Sequence, residues 1–153
     1  MKMYFKNNRT ALIFLLAMLV VAPIKAQVAF GDAAKFNDGW LFRLTDASAI
    51  VRTDYDDSEW RKLSLPHDWS IEGQLSPTLA SCTGYLPGGI GWYRKHFRVE
   101  DNATRHYIYF EGVYNRSEVY LNGHLLGRRP NGYVSLQYYI TPYMKQSNNM
   151  LHV

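Results

Sequence analysis

A chain of 153 residues with 47% apolar and 20% charged side chains has the size and composition of one folded domain, which excludes the disordered and fibrous classes. The formal charge of +4 arises at the start: Lys2, Lys6, Arg9 and Lys25 precede residue 27 with no acidic residue among them, and the remainder carries thirteen basic and thirteen acidic side chains. A balanced remainder argues against nucleic-acid binding, which needs a concentrated basic surface.

Met1–Ala26 reads as a secretory signal peptide. A basic stretch, MKMYFKNNRT, precedes the 12-residue apolar run Ala11–Ala22; Pro23 ends that run, and Ala26 offers a small residue for cleavage before Gln27. The run is too short for a bilayer core of roughly 30 Å, which needs about 20 residues, so no membrane association is expected after cleavage. The expected location is periplasmic or extracellular. Cys82 is the only cysteine, which rules out an internal disulfide or a cysteine-based metal cluster and leaves residues 27–153 to be held by their core.

Beyond residue 30 short apolar and aromatic runs alternate with turn residues, and the chain reads as all-β. Strands are predicted at Trp40–Leu44, Arg61–Leu65, Trp92–Val99, Tyr107–Phe110, Glu118–Leu121, His124–Leu126 and Tyr133–Ile140. Asn122-Gly123 lies between two of them and accepts positive φ at both positions, so a type I′ hairpin is expected. Trp92–Val99 and Tyr107–Phe110 carry bulky residues on both faces, as central strands of a two-layer sandwich do. Trp40, Trp60 and Trp92 are core candidates. Between Arg61–Leu65 and Trp92–Val99 the 24 residues His67–Ile90 show no period and are rich in Pro and Gly. So long a connection in a small sandwich is functional or a linker, and here it is read as a loop folded over one end.

Several chemistries fail on spacing. The five histidines form no HxH or HExxH pattern, so no metal site and no cofactor are expected. There is no GxSxG elbow. Gly88-Gly89-Ile90-Gly91 lacks the Lys-Ser/Thr of a phosphate loop and precedes a strand, where such a loop needs a helix. Asn102-Ala103-Thr104 and Asn115-Arg116-Ser117 match the glycosylation sequon, a pattern common by chance. The Asp56-Asp57 doublet reads as a turn before Glu59-Trp60.

What remains is an ordered series of unusual words: FNDGW (36–40), DSEW (57–60), LPHDW (65–69), GGIGWYRK (88–95), FEGV (110–113), VYLNG (119–123), LG (126–127), PNGY (130–133) and ITPY (140–143). In this order they resemble the N-terminal sugar-binding domain of glycoside hydrolase family 2, most closely its β-galactosidases, over roughly residues 36–153. The resemblance implies a jelly-roll β-sandwich of the galactose-binding-domain-like type. It implies a β-galactoside or related oligosaccharide as ligand, and as partner the catalytic barrel domain of the same full-length protein. In the family that barrel carries the two carboxylates of retaining hydrolysis, which must stand about 5–5.5 Å apart. None of the acids here lies in such a motif, so no catalytic residue is expected in this chain. Its end at Asn149–Val153, where the family continues, suggests a fragment truncated at its C-terminal side. The Asn-Pro-Thr-Gly stretch that touches sugar in one branch of the family falls near Gly88–Gly91, and its asparagine has no counterpart. Asp68 and Trp69 are the substrate-binding candidates: a carboxylate can hold vicinal hydroxyls, and an indole can stack on galactose. The bland alternative is that Asp68 caps the loop and Trp69 plugs the sandwich end. For Tyr93 and Arg94, strand alternation is expected to bury one and expose the other.

Overall fold

The computed structural model describes residues 33–100 and 105–153; the expected signal peptide and the sequon at Asn102–Thr104 lie outside the described residues. The chain divides into two compact units, residues 1–35 and 36–153, and the fold below is that of the second.

Eight strands build it: β1 Trp40–Leu44, β2 Arg61–Leu63, β3 Gly91–Phe97, β4 Tyr107–Phe110, β5 Ser117–Leu121, β6 His124–Arg129, β7 Leu136–Tyr139 and β8 Asn149–His152. All pairings are antiparallel. Six strands form one sheet in the order β2-β1-β3-β8-β5-β6, and β4 and β7 form a second, two-stranded sheet. The core lies between the layers: Trp40, Val119, Leu121 and Leu151 from the large sheet meet Ile108, Leu136, Tyr138 and Ile140 from the β4–β7 side. Period-two alternation puts these residues on the inward faces, and the all-β sandwich is as expected. At the β5–β6 hairpin, Asn122 has φ 53 and Gly123 has φ 86, the left-handed pair of a type I′ turn.

The strands differ from expectation in instructive places. β2 stops at Leu63 because Leu65 leaves the sheet to donate its N–H to the Asn37 carbonyl, 2.9 Å away. β6 runs on to Arg129, and β7 is confined to Leu136–Tyr139. β3 is central, as predicted, but β4 is not: among the described residues it pairs only with β7, burying Ile108 and turning Tyr107 and Tyr109 to solvent. The bulky residues that suggested a central position instead build an outward aromatic face, with the Tyr107 and Tyr139 rings 5.2 Å apart across the ladder.

The outer face of β3 is also covered. The segment around the short 3₁₀ turn Ser48–Val51 lies over it, so Arg94 is fully buried while Tyr93, on the opposite face, is half-buried. The expectation that one of this pair is exposed is therefore corrected: alternation separates the two side chains, but a second layer of irregular chain closes over the arginine. Trp60 is buried in that outer cover, its ring 4.6 Å from the Arg94 guanidinium, rather than between the sheets. Trp92 is half-buried on the same outer face beside Tyr120.

Candidate functional site

The loop from His67 to Ile90 joins β2 to β3, and its first and last residues come together at one end of the large sheet. At its root, Arg61 of β2 forms a two-pronged ion pair with Glu72, both contacts 2.9 Å. The His67 ring lies between this pair and β3, with Nδ1 2.8 Å from the Tyr93 hydroxyl and Nε2 3.1 Å from Glu72. Phe42 of β1 packs its ring against both His67 and Tyr93. Arg61 holds the Glu72 carboxyl below its ordinary range, with His67 adding to the effect. Burial, reinforced by the Asp68 and Glu72 carboxylates, pushes the Tyr93 phenol up to about 12, so it stays neutral and able to donate. His67, which the sequence reading left out, is thus the residue that anchors the loop to the sheet.

Asp68 is exposed, and its Oδ1 accepts from the Ser70 N–H at 3.0 Å and the Ser70 hydroxyl at 2.6 Å. That is an Asx turn, the capping role weighed for it. Its second oxygen has no hydrogen-bond partner among the described residues. Trp69 is half-buried against the returning end of the loop: a Cβ built on Gly91 would lie 2.6 Å from its Nε1, and one on Gly89 3.6 Å from the far edge of the ring. Glycine at 91 is what lets the indole lie flat on the start of β3. Gly91→Ala is expected to displace Trp69 and cost about 1–3 kcal/mol, an overpacking penalty. Tryptophan emission and the denaturation midpoint, measured together, check this, and an unchanged spectrum would show that Trp69 does not rest on Gly91.

Between these ends the loop folds on itself through two 3₁₀ turns, Ser70–Glu72 and Ser81–Thr83, and a bond from the Ser76 N–H to the Tyr85 carbonyl. Ile71, Leu75, Tyr85 and Ile90 nevertheless point outward, 67%, 68%, 48% and 53% exposed. The structure thus brings Asp68 and Trp69 to one apolar-rimmed loop end. No cluster of three or more metal-ligating side chains occurs among the described residues, and no helix there is long and apolar enough to cross a membrane.

A second polar cluster lies on the outer face of the large sheet. Arg94 donates from Nε to His152 Nε2 at 2.6 Å, from Nη1 to the Tyr55 carbonyl at 2.8 Å and Asp57 at 2.9 Å, and from Nη2 to the Ile50 carbonyl at 2.8 Å. Asp57 also meets His96 at 2.6 Å. The Asp56-Asp57 doublet forms the expected turn, with the Trp60 N–H bonded to the Asp57 carbonyl at 3.0 Å, but its second side chain also enters this network. Four separated segments supply it, and no motif announces it. It fastens the outer cover to β3 and offers no opening to a ligand.

Comparison with known proteins gives a consistent result. A family model for the glycosyl hydrolase 2 galactose-binding domain-like domain matches residues 91–153. A β-galactosidase of Bacteroides ovatus is 48% identical over 118 residues, which cover 74% of this chain and 14% of the relative. A β-glucuronidase of Formosa agariphila is 29% identical over 118 residues, covering 72% of this chain and 12% of that protein. Among solved structures, a β-glycosidase from Bacteroides vulgatus superposes with a TM-score of 0.75 at 43% identity, covering 80% of this chain and 17% of that one. The chain thus spans less than one fifth of the length of these relatives.

Proposed function

Because the domain belongs to the galactose-binding-like domains of glycosyl hydrolase family 2, we propose that it is the N-terminal sugar-binding domain of an exported, retaining β-galactosidase whose catalytic pair resides in a barrel outside this chain. The observation that carries the reading is the 48% identity to the Bacteroides ovatus β-galactosidase. The loop geometry supports it: Asp68 is exposed with one carboxylate oxygen unbonded among the described residues, and four large side chains on the same loop are exposed as well. In this reading the loop docks on the barrel and forms part of the rim of its active site, Asp68 holding sugar hydroxyls and Trp69 fixing the loop. Export rests on the composition of Met1–Ala26, and the location is periplasmic or extracellular.

The β-glucuronidase of Formosa agariphila favours one alternative, the same domain in an enzyme acting on uronides. Two measurements test the proposal. The gene beyond codon 153 is expected to encode, in frame, a barrel with two glutamates, and the enzyme it yields is expected to prefer a chromogenic β-galactoside to a β-glucuronide. The 153-residue chain alone is expected to hydrolyse neither. Turnover that survives purification and disappears in Asp68→Ala would overturn the assignment.

A further inference from the structure

The most exposed large aromatic side chains of the domain lie on the loops before β5 and after β6, at the same end of the large sheet as the start of β3. Tyr133 is 85% exposed and Tyr114 71% exposed, and their rings meet nearly edge to face with centroids 5.5 Å apart. They are two walls of a shallow groove of about 330 Å³ completed by Asn115, Pro130, Asn131 and Gly132. Exposed apolar rings normally cost solubility, so a paired set at one rim needs a reason.

The groove is held in shape from below. A Cβ on Gly132 would lie 2.6 Å from Tyr114 Cδ2 and 2.7 Å from Tyr114 Cα, so the 130–133 loop sits directly on the 114–115 loop and only glycine fits. Asn131 Oδ1 accepts the Tyr133 N–H at 2.8 Å, which orients the tyrosine and leaves the amide NH₂ without a hydrogen-bond partner among the described residues. The Asn115 side chain likewise has no hydrogen-bond partner among the described residues. The groove therefore offers two rings at 65° and two amides able to bond hydroxyls. Rings of two torsions lose little freedom on binding, which makes tyrosine an effective rigid contact.

We infer that the Tyr114–Tyr133 groove is a second carbohydrate subsite, taking one neutral hexopyranose unit with its C–H face on a tyrosine ring and its hydroxyls on Asn115 and Asn131. The inference rests on the domain's proposed place in a glycosidase, and it adds a sugar contact made by residues other than those of the Asp68 loop. Neutrality follows from the lining: none of its six residues carries a charge, so a uronide carboxylate finds no partner there.

The test is a heteronuclear NMR titration of the whole 153-residue chain with methyl β-galactopyranoside and, separately, methyl β-glucuronide. Saturable shifts are expected at residues 114–115 and 130–133 with the galactoside. Tyr133→Ala is expected to weaken that binding about tenfold, as loss of a principal aromatic contact does. Tyr133→Phe is expected to keep most of it. Tyr133 is so exposed that its removal leaves the fold intact, which the melting temperature verifies. Absence of saturable shifts in this groove, unchanged affinity in Tyr133→Ala, or tighter binding of the glucuronide overturns the inference. Shifts confined to residues 67–91 and abolished by Asp68→Ala would overturn it while supporting the loop as the sugar contact. Shifts in the groove that persist in Asp68→Ala support it.

Discussion

Arg94→Met is expected to destabilise the domain by about 3–5 kcal/mol, the usual consequence of removing one partner from a buried ion pair. The guanidinium is wholly inaccessible and all three of its nitrogens are engaged, with four acceptors between them. Methionine fills much of the volume but leaves the Ile50 and Tyr55 carbonyls and His152 Nε2 without this donor, and among the described residues the Asp57 carboxylate keeps only His96. Against a total stability of about 5–15 kcal/mol for a domain, a loss of this size unfolds a large fraction of the molecules at moderate temperature. Arg94→Lys keeps the charge but cannot reproduce the fork, and it is expected to recover only part of the loss. Guanidinium denaturation of the three proteins decides the matter. A midpoint for Arg94→Met within error of the parent would show that the cover over β3 is held by its apolar contacts alone.

The same cluster makes the domain sensitive to acid. His152 accepts from Arg94 through Nε2, so its proton sits on Nδ1, and a second proton would have to share the space with the guanidinium. Burial first, then Arg94 and His96, push the imidazole down to about 3. Unfolded, it titrates near its ordinary value of about 6.5. A folded value below the unfolded one means that the stabilisation is complete above about pH 6.5 and is lost as the pH falls towards the folded value. At about 1.4 kcal/mol per unit, the domain is expected to be roughly 2–3 kcal/mol less stable at pH 4.5 than at pH 7. Asp57, held below its ordinary range by His96 and Arg94 against the opposing effect of burial, adds a further loss when the pH falls below that range. His152→Gln removes the titrating group, so its denaturation midpoint should vary little between pH 7 and 4.5. Equal acid losses in parent and variant would place the effect elsewhere.

Much of the sandwich is legible in the residues. Trp40, Phe42 and Leu44 alternate with Leu41 and Arg43, and Asn122-Gly123 can only be a tight left-handed turn, so β1 and the β5–β6 hairpin are found by local rules. The role of β4 is not, because Tyr-Ile-Tyr-Phe has the same composition whether its second face meets a neighbouring layer or water. Arg94 is hidden for a similar reason. GWYRKHF gives the alternation of β3, but the cover over its outer face comes from residues 48–60, which have no period and lie more than thirty positions away. At the loop, the words LPHDW and GGIGW mark the two ends that meet, yet not that His67 is the anchor or that Gly91 receives the indole. The Tyr114–Tyr133 groove was not anticipated at all. It exists because the β5–β6 hairpin carries one loop back to the other, and neither PNGY nor the Asn115-Arg116-Ser117 sequon says that the two loops meet.

The position of β8 has a consequence for synthesis. Its four residues follow all the other strands of the domain in sequence, yet they lie between β3 and β5, the inner strands of two separate groups, β2-β1-β3 and β5-β6. A ribosome that has emitted everything up to residue 148 has therefore produced two ribbons with no ladder joining them, each presenting an unpaired edge. The large sheet closes in a single late step, when Leu151 enters the core and His152 reaches Arg94 across 58 positions of chain. Such long-range closure is slow compared with local pairing. Until β8 has emerged, the domain is held as two half-built ribbons whose open edges are templates for association with neighbouring chains.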